Sequence, residues 1–300
     1  MKYVFVINPN SGKENSQDLL LSNIEKNTHK LDYEVYITKY SGDAARYVDE
    51  YCKNHSEETV FCACGGDGTI NEVASGMANH PHAILACYPC GSGNDFVKVY
   101  GGKEPFLNDT YLLNGQETKI DLMQVNDKFS INVINYGFEV KVCDTANKIK
   151  RKKIIGGKHS YTTGILVAIF KSMKNFCKIY ANDELIYEGD ILLSTFANGK
   201  YVGGNYCCAP YSNNEDGLLE VTYVKPISIF KFLSVVNYYK KGTHLSNPKF
   251  NKFITYMQSN KITIETIKET KICIDGEIYS GNRFEITNHK QKIRFLRPKL

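Results

Sequence analysis

The feature that most constrains the fold is an alternation of apolar, strand-like segments with helical patterns in the first third of the chain. The strand-like segments lie at 3–7, 33–38, 59–64 and 83–89. Apolar residues at helical spacing predict helices between them, over 16–30, 43–53 and 69–77. Ser41 and Asp43 are candidate caps of the second helix, because their side chains can accept a backbone N–H. Strands that alternate with helices in this way predict a parallel α/β sheet.

The loop after the third strand carries the strongest functional signal, CGGDGTINEV at 64–73. Its glycines, Gly65, Gly66 and Gly68, allow positive φ angles and let a phosphate approach the backbone closely. The predicted helix begins near Thr69, where free amide groups and the helix dipole favour an anion. The loop therefore predicts a phosphate site, and a tight strand-to-helix turn is the alternative.

Asp67 lies inside this loop, although a carboxylate alone would repel a phosphate. It fits there if a magnesium ion or a hydroxyl nucleophile shares the site, and a capping aspartate is the alternative. Two further loops, INPNSGK at 7–13 and PCGSGNDF at 89–96, also follow strands. The carboxyl ends of parallel strands meet at one edge of a sheet, so we expect the three loops to lie together. None of them matches the Walker or the dinucleotide pattern.

From about residue 116 the sequence changes to short strand-like runs, interrupted by helical stretches at 161–173 and 227–239. This change predicts a second, β-rich domain with no distinct linker before it. The net charge of +5 is mild and fits a protein that meets anionic surfaces or phosphorylated ligands. The N-terminus lacks the features of a signal peptide, and no apolar stretch is long enough to span a membrane.

The cysteines predict a reducing compartment. Five of them stand in apolar segments and are expected to be buried free thiols. They are Cys62, Cys64, Cys87, Cys207 and Cys208. Cys87 and Cys90 form one C-x-x-C, which is weak evidence for zinc without a second pair or a histidine partner.

The three loops, in this order and spacing, resemble the diacylglycerol kinase catalytic domain family, which includes bacterial lipid kinases and the sphingosine and ceramide kinases. The resemblance continues through KID at 119–121, NYGFEV at 135–140, GGNYCCAP at 203–210, NNEDGLLEV at 213–221 and IDGE at 274–277. It implies an N-terminal, doubly wound ATP-binding α/β domain over 1–120, related to NAD kinases and phosphofructokinases. It also implies a β-sandwich-like, lipid-binding domain over 121–283. Strands at about 284–300 are expected to return to the first domain.

Carried over by position, the resemblance implies ATP contacts in the three loops and at the end of the second strand. The residues are Asn8, Asn10, Ser11, Gly12, Thr38, Gly65, Gly66, Asp67, Gly68, Thr69, Ile70, Asn71, Ser92 and Asp95. A magnesium site is implied at Asn213, Asp216 and the main chain of Leu218, with a plain Asp-Gly turn as the alternative. Asp67, Asp95 and Asp121 match acidic positions that the family gathers near the phosphates. For Asp121 the alternative is an exposed charge at a strand end.

The resemblance implies that Asp275 and Glu277 of the IDGE segment, with Asp67, are catalytic. One of the first two would be the carboxylate base for the lipid hydroxyl, and which one is left open. On an extended segment the two side chains would face the same side, whereas the alternative is a plain Asp-Gly hairpin turn. The expected reaction is ATP- and Mg²⁺-dependent phosphorylation of a lipid hydroxyl, with diacylglycerol to phosphatidic acid as the leading candidate. The alternatives are an NAD kinase-like nucleotide kinase and a non-catalytic lipid- or nucleotide-binding regulator.

A lipid substrate requires an approach to a bilayer. The run KIKRKKIIGGKH at 148–159 packs six basic residues beside two isoleucines, and such a run is attracted to an anionic leaflet. A solvated surface is the alternative. We expect a cytoplasmic protein that is peripheral on the inner face of the membrane, acts in phospholipid metabolism and binds no nucleic acid. A homodimer is left open.

Overall fold

The computed structural model describes residues 1–12, 32–107, 111–151 and 174–299. For residues 146–151 only the backbone is described. Its strands are β1 (Lys2–Ile7), β2 (Asp32–Ile37), β3 (Thr59–Gly65), β4 (Ala83–Pro89), β5 (Gln116–Val125), β6 (Lys128–Ser130), β7 (Val133–Gly137), β8 (Asn175–Ala181), β9 (Glu184–Ile191), β10 (Leu193–Ala197), β11 (Tyr201–Val202), β12 (Tyr206–Cys207), β13 (Leu219–Val224), β14 (Ile254–Ser259), β15 (Lys261–Ile274) and β16 (Glu277–Arg297). Its α-helices are α1 (Asp43–Asn54), α2 (Asp67–Met77), α3 (Tyr111–Asn114), α4 (Phe138–Arg151) and α5 (Ile229–Lys241). Shorter 3₁₀ turns lie at Phe96–Tyr100, Glu104–Leu107 and Pro248–Phe250.

The first domain is built on a parallel sheet in the order β2-β1-β3-β4, which confirms the predicted α/β fold. Strands β1, β3 and β4 are almost entirely buried, because their side chains are apolar on both faces of the sheet. Helix α2 begins at Asp67, slightly before the predicted start. The helices predicted at 16–30 and 161–173 lie outside the described residues, as does most of the basic run at 148–159.

The start of α1 is fixed by a neighbouring helix and not by its own side chains. Its N-cap is Gly42, with φ of 87°, and no side chain of the helix caps it, so the prediction of Ser41 or Asp43 is wrong. Instead, the Glu72 carboxylate on α2 accepts the N–H groups of Gly42 and Ala44, at 2.9 and 3.2 Å. Asp43 turns away and accepts the N–H of Lys39 at 2.8 Å. The carboxylate that caps the N-terminus of α1 therefore belongs to another helix.

The second domain is built on the antiparallel strands β14-β13-β10-β7-β15-β16, with β8 and β9 added beside β15. Its apolar core is separate from that of the first domain, which is consistent with a two-domain chain. Helix α5 begins later than the pattern predicts, because the hydroxyl of Ser228 accepts the N–H of Lys231 and forms the N-cap. Among the described residues no helix has both the length and the apolar character that a membrane crossing requires.

Strand β16 belongs to both domains. Its first half pairs with β15, and its last residues pair in parallel with β4, with Phe295 opposite Leu85. The change of direction occurs at an irregularity between His289 and Ile293, where the pairing with β5 is also interrupted. Beyond that point the Phe295 ring is fully buried in the core of the first domain. The chain therefore leaves the first domain after β5 and returns to it through β16.

Replacement of Phe295 by alanine should destabilise the protein by about 3–5 kcal/mol, since a fully buried aromatic ring is removed. The ring contacts Phe96, Tyr100 and Phe106, so the cavity would open between β16 and the segment after β4. Urea unfolding followed by circular dichroism measures the loss. The control is Ile267→Ala, because Ile267 is 80% exposed, and that variant should unfold like the wild type. Equal stability of both variants would contradict the anchoring role of β16.

Candidate active site

The two glycine loops at the carboxyl edge of the sheet contact each other through their backbones. A Cβ added at Gly91 would lie 2.4 Å from the Cα of Gly66, so any side chain at this position would separate the loops. The N–H of Cys90 also donates to the carbonyl of Gly65 at 3.0 Å. A Cβ at Gly68 would meet nothing within 4 Å, so this glycine borders open space. The structure thus brings these two loops together, as predicted, and leaves the backbone at Gly68 exposed.

The first loop joins them through Asn8. Its side-chain amide donates to the Thr69 hydroxyl at 3.1 Å, and its side-chain oxygen accepts the N–H of Asn10 at 3.0 Å. Its own N–H donates to the carbonyl of Cys64 at 3.0 Å. Thr38 is held nearby, since its N–H donates to the carbonyl of Ile7 at 2.9 Å. These bonds bring the first loop, Thr38 and the CGGDGT loop together at one edge.

The cofactor residues predicted in these loops differ in exposure. The exposed or half-exposed ones are Asn8, Asn10, Ser11, Gly12, Gly66, Asp67, Gly68, Asn71 and Ser92. Ile70 is fully buried and its N–H already donates to the Gly66 carbonyl at 3.1 Å. The Asn71 side chain bonds to the backbone of Phe129 and Ile131 at 3.3 and 3.1 Å, so it connects α2 to the second domain.

The carboxylates of Asp67 and Asp95 both border Gly93. A Cβ at Gly93 would be 3.1 Å from one oxygen of Asp67 and 3.4 Å from one oxygen of Asp95. The other Asp67 oxygen accepts the N–H of Phe96 at 2.9 Å. Burial raises the pKa of Asp67 to about 6, and the negative charges of Asp95 and Asp275 add to this. Two carboxylates beside a glycine loop are a set of hard oxygen donors that a divalent cation can neutralise.

A loop of the second domain closes onto this pair. The Asp95 carboxylate accepts the N–H of Gly204 at 3.0 Å and the Lys98 ammonium at 2.5 Å. Lys98 also donates to the Gly204 carbonyl, at 2.5 Å. No sequence pattern predicted a role for Lys98 or Gly204. The glycines of the GGNYCCAP motif could have indicated a turn here, because glycine permits the positive φ of 80° that Gly204 adopts.

Asp275 stands in a hairpin turn between β15 and β16, with φ of 44°, so the prediction of an extended IDGE segment is wrong. One oxygen of its carboxylate accepts the Ser130 hydroxyl and the N–H of Ile131, both at 2.8 Å, and the N–H of Asn132 at 3.3 Å. The other oxygen accepts the N–H of Val133 at 2.8 Å. Burial raises the pKa of Asp275, and these bonds act in the opposite direction. The carboxylate therefore organises the segment between β6 and β7.

Glu277 follows the turn and is exposed, in contrast to Asp275. Its two oxygens accept the hydroxyls of Ser41 at 3.1 Å and Tyr279 at 2.7 Å. Ser41 precedes α1 of the first domain, so the carboxylate of Glu277 lies where the domains meet. It is available to solvent and to a ligand there.

The loop that contains Asn213, Asp216 and Leu218 is shaped by its own side chains. The side-chain oxygen of Asn213 accepts the N–H of Glu215 at 3.2 Å, and one Asp216 oxygen accepts the N–H of Leu218 at 2.8 Å. The second oxygen of Asp216 and the Leu218 carbonyl are the groups of this loop that suit a hard cation.

Asp121 lies behind this loop and is fully buried, so the alternative of an exposed strand-end charge is wrong. One oxygen accepts the N–H of Gln291 at 2.7 Å, and the other accepts the N–H of Gly217 at 2.7 Å and the amide of Asn288 at 3.1 Å. Gln291 is in the irregular part of β16, with φ of 50°. Burial raises the pKa of Asp121, and these donors oppose the shift. The carboxylate thus stabilises the place where β16 passes between the domains.

Comparison with known proteins agrees with this arrangement. Residues 2–125 match the diacylglycerol kinase catalytic domain, and residues 132–291 match the YegS C-terminal NAD kinase beta sandwich-like domain. A diacylglycerol kinase of Bacillus subtilis (strain 168) is 28% identical over 98% of this chain and 95% of its own. A YegS-like lipid kinase of Enterobacter sp. (strain 638) is 30% identical over 92% of this chain and 90% of its own. A crystal structure of a diacylglycerol kinase from Bacillus anthracis str. Sterne covers 99% of this chain and 96% of its own, with a TM-score of 0.69 and 20% identity.

The fold and the glycine loops are those of a kinase, and ATP is the phosphoryl donor that such a kinase implies. The chain belongs to the bacterial family of diacylglycerol kinases and YegS-like lipid kinases, as the sequence motifs indicate.

Replacement of Asp67 by asparagine should stabilise the protein near pH 7.5 while it removes kinase activity. The pKa of Asp67 is raised from 3.8 to about 6 by folding, so the folded state binds this proton more tightly than the unfolded state. Stability of the wild type therefore falls as the pH rises from about 4 to about 6, by up to about 3 kcal/mol from this group. Asparagine can still accept the Phe96 N–H but has no charge to bury.

Urea unfolding at several pH values measures this difference. D67N should exceed the wild type in stability by about 1–3 kcal/mol at pH 7.5, and the gap should close toward pH 4. Glu184→Gln is the control, because Glu184 is an exposed acid at the start of β9. A gap that does not change with pH would contradict the burial of the Asp67 charge.

Proposed function

We propose that this protein transfers the γ-phosphoryl group of ATP to a lipid hydroxyl, with diacylglycerol as the leading acceptor and phosphatidic acid as the product. The observation that supports this most is the contact between the two glycine loops beside the paired carboxylates of Asp67 and Asp95. Exposed backbone at Gly66 and Gly68 suits a phosphate chain, and the adjacent carboxylates suit the cation that accompanies it. The relatives named as diacylglycerol and lipid kinases supply the acceptor class.

The phosphates of ATP would lie along the CGGDGT and GSGND loops, with Asn10 and Ser11 of the first loop on the nucleotide side. Phosphoryl transfer depends mainly on position and on neutralisation of charge, so the rigid contact between the loops is the main contribution of the first domain. Lys98 adds a cation, but its charge is directed at Asp95 and orients that carboxylate. Magnesium, when bound, would neutralise the charge that develops on the phosphates.

The donor sets fit magnesium in two places. Asp67 and Asp95 offer hard oxygens beside the glycine loops, and the pKa of Asp67 is raised mainly by burial, with the negative charges of Asp95 and Asp275 adding to the shift. The loop with Asp216 and the Leu218 carbonyl offers a second set, away from the glycine loops, where a cation would hold the loop against Asp121. We assign a structural role to this second site.

Glu277 is the better of the two candidate bases. A general base needs a free lone pair within reach of the substrate hydroxyl, and Asp275 already accepts four hydrogen bonds from the protein. Glu277 is exposed at the junction of the domains, where a lipid held by the second domain could meet ATP held by the first. Ser41 and Tyr279 orient its carboxylate. Asp275 then acts as a positioning residue for the hairpin that carries Glu277.

Incubation with radiolabelled ATP, magnesium and a panel of lipids in mixed micelles tests the proposed reaction. The panel contains diacylglycerol, monoacylglycerol, ceramide, sphingosine and phosphatidylglycerol, with NAD in a parallel tube. Label on a lipid is the expected result and identifies the acceptor. Label on NAD alone would replace the proposal with a nucleotide kinase. ATP binding without label on any acceptor would indicate a binding protein.

Replacement of Glu277 by glutamine should lower turnover by about 10²- to 10⁴-fold, because the proton acceptor is lost while the shape is kept. Affinity for ATP, measured by titration calorimetry, should change little. Glu269→Gln is the matched control, since Glu269 is an exposed acid on the neighbouring strand β15. Turnover of E277Q near that of the wild type would remove Glu277 from the mechanism.

Helix α5 offers a surface for contact with an anionic bilayer. Phe230 is 82% exposed and Leu233 is 53% exposed on one face of the helix. Residues 225–253 contain six lysines and no acidic residue. All six lysines are exposed, so every formally charged side chain in the segment that carries Phe230 and Leu233 is positive. Apolar insertion together with several basic residues is the combination that holds a protein at an anionic leaflet. This face is our proposal for the approach of the second domain to its lipid.

The double variant Phe230→Ser with Leu233→Ser should bind vesicles that contain phosphatidylglycerol at least about tenfold more weakly than the wild type, because it loses apolar insertion. Cosedimentation measures the binding. The control is Ile267→Ser, since Ile267 is 80% exposed but lies on β15, away from α5. Equal loss in both variants, or no loss in the double variant, would contradict the assignment of the α5 face.

A further inference from the structure

A cluster of one cysteine and two histidines lies at the amino edge of the parallel sheet. Cys52 is in the last turn of α1, and His80 and His82 belong to the turn between α2 and β4. The N–H of Thr59, the first residue of β3, donates to the His82 carbonyl. Because β3 has seven residues and a strand rises about 3.3 Å per residue, the cluster is roughly 20 Å from the glycine loops. It is therefore separate from the candidate active site.

The three side chains are close enough to share one ion. A ligand atom from each of Cys52, His80 and His82 lies within 4.8 Å of the other two. The ring centroids of His80 and His82 are 5.8 Å apart, and the rings are steeply inclined. In a zinc site the sulfur and nitrogen ligands stand about 3.5 Å from one another, which follows from Zn–S near 2.3 Å and Zn–N near 2.0 Å. Small side-chain rotations would close the difference.

His82 provides an independent sign of a missing ligand. Its Nε2 atom is buried, and no hydrogen-bond partner for it exists in the described part of the chain. A buried polar atom that bonds to nothing costs about 1–3 kcal/mol, so such atoms are uncommon without a bound ion or water. His82 belongs to the same cluster as Cys52, whose side chain is also buried. A cation bound to the unpaired nitrogen would satisfy it.

The surroundings favour a positive ion. The Asp49 carboxylate accepts a hydrogen bond from Nε2 of His80 at 2.9 Å, which is the arrangement by which a carboxylate orients a metal-binding histidine. Cys52 lies in the final turn of α1, where the negative end of the helix dipole attracts a cation. Lys53, also in that turn, directs its ammonium to the other oxygen of Asp49 at 2.5 Å and not to the cluster.

We infer that Cys52, His80 and His82 form a zinc site, with water as the fourth ligand and Asp49 as the partner of His80. One sulfur and two imidazole nitrogens are borderline-soft donors, which suit Zn²⁺ and do not suit Mg²⁺. The ion would connect the end of α1 to the turn before β4, two segments separated by the whole of β3 and α2. Its role is structural, because the site lies at the opposite edge from the phosphate loops.

Titration of metal-free protein with cobalt chloride, followed by zinc chloride, tests the inference. Co²⁺ should produce a near-ultraviolet charge-transfer band from thiolate to cobalt, and Zn²⁺ should remove it. Zinc should also raise the melting temperature and protect Cys52 from alkylation, as located by peptide mass spectrometry. A mildly alkaline buffer favours binding, because burial raises the pKa of the Cys52 thiol to about 12 and the ion must displace its proton.

Cys52→Ala and His82→Asn should each weaken zinc binding at least about 100-fold and abolish the cobalt band, as loss of a direct ligand requires. The matched controls are Cys177→Ala and His55→Asn, a buried thiol in the second domain and a histidine just beyond Cys52. Both controls should bind like the wild type. No thiolate–cobalt band in the wild type, or equal zinc stabilisation in C52A and H82N, would overturn the inference, and ATP turnover is not part of either readout.

Discussion

The backbones of Gly66 and Gly91 can touch because β3 and β4 pair in parallel, with Gly65 opposite Pro89, and because neither glycine has a Cβ. This contact fixes the position of the two glycine loops relative to each other at the ends of β3 and β4. It also brings the carboxylates of Asp67 and Asp95 close to Gly93, since both acids belong to the segments that leave the contact. A single extra carbon at Gly91 would move one acid relative to the other. The relative position of the two carboxylates, and with it the negative charge of the site, therefore depends on the packing of two backbone segments.

Carboxylates that bond to backbone N–H groups hold the irregular segments around this edge in place. Asp95 holds Gly204, Asp275 holds the segment before β7, and Asp121 holds the irregular part of β16. Each carboxylate reaches from one element to the N–H groups of another, and N–H groups in irregular segments have no strand partner to satisfy them. The acids around this edge thus have two kinds of role. One oxygen of Asp67 borders Gly93, while the oxygens of Asp121 and Asp275 accept hydrogen bonds from the protein.

The sequence predicted the parallel sheet, the three loops and the family, because each depends on residues that are neighbours in the chain. It did not predict that Glu72 caps α1 or that Asp121 supports the bend of β16, since those partners are 30 and 170 positions away. The Asp275 turn was given only as the alternative, although Asp-Gly between two strands is the residue pair that favours a two-residue hairpin turn with positive φ. The C-x-x-C spacing likewise indicated Cys87 and Cys90, and no other cysteine, as candidate zinc ligands. The cluster at Cys52 is assembled by the fold from the end of one helix and the turn after the next.

The passage of β16 through both domains has a consequence for synthesis. Strand β4 is apolar and central in the finished sheet, yet the strand that covers its open side is synthesised long after it. Until about 200 further residues have been made, the nascent first domain presents an uncovered strand edge to the cell. Such an edge is open to pairing with other chains, so yield in the cell should depend on chaperones that bind nascent polypeptides. Shortening the chain before β16 would make that exposure permanent.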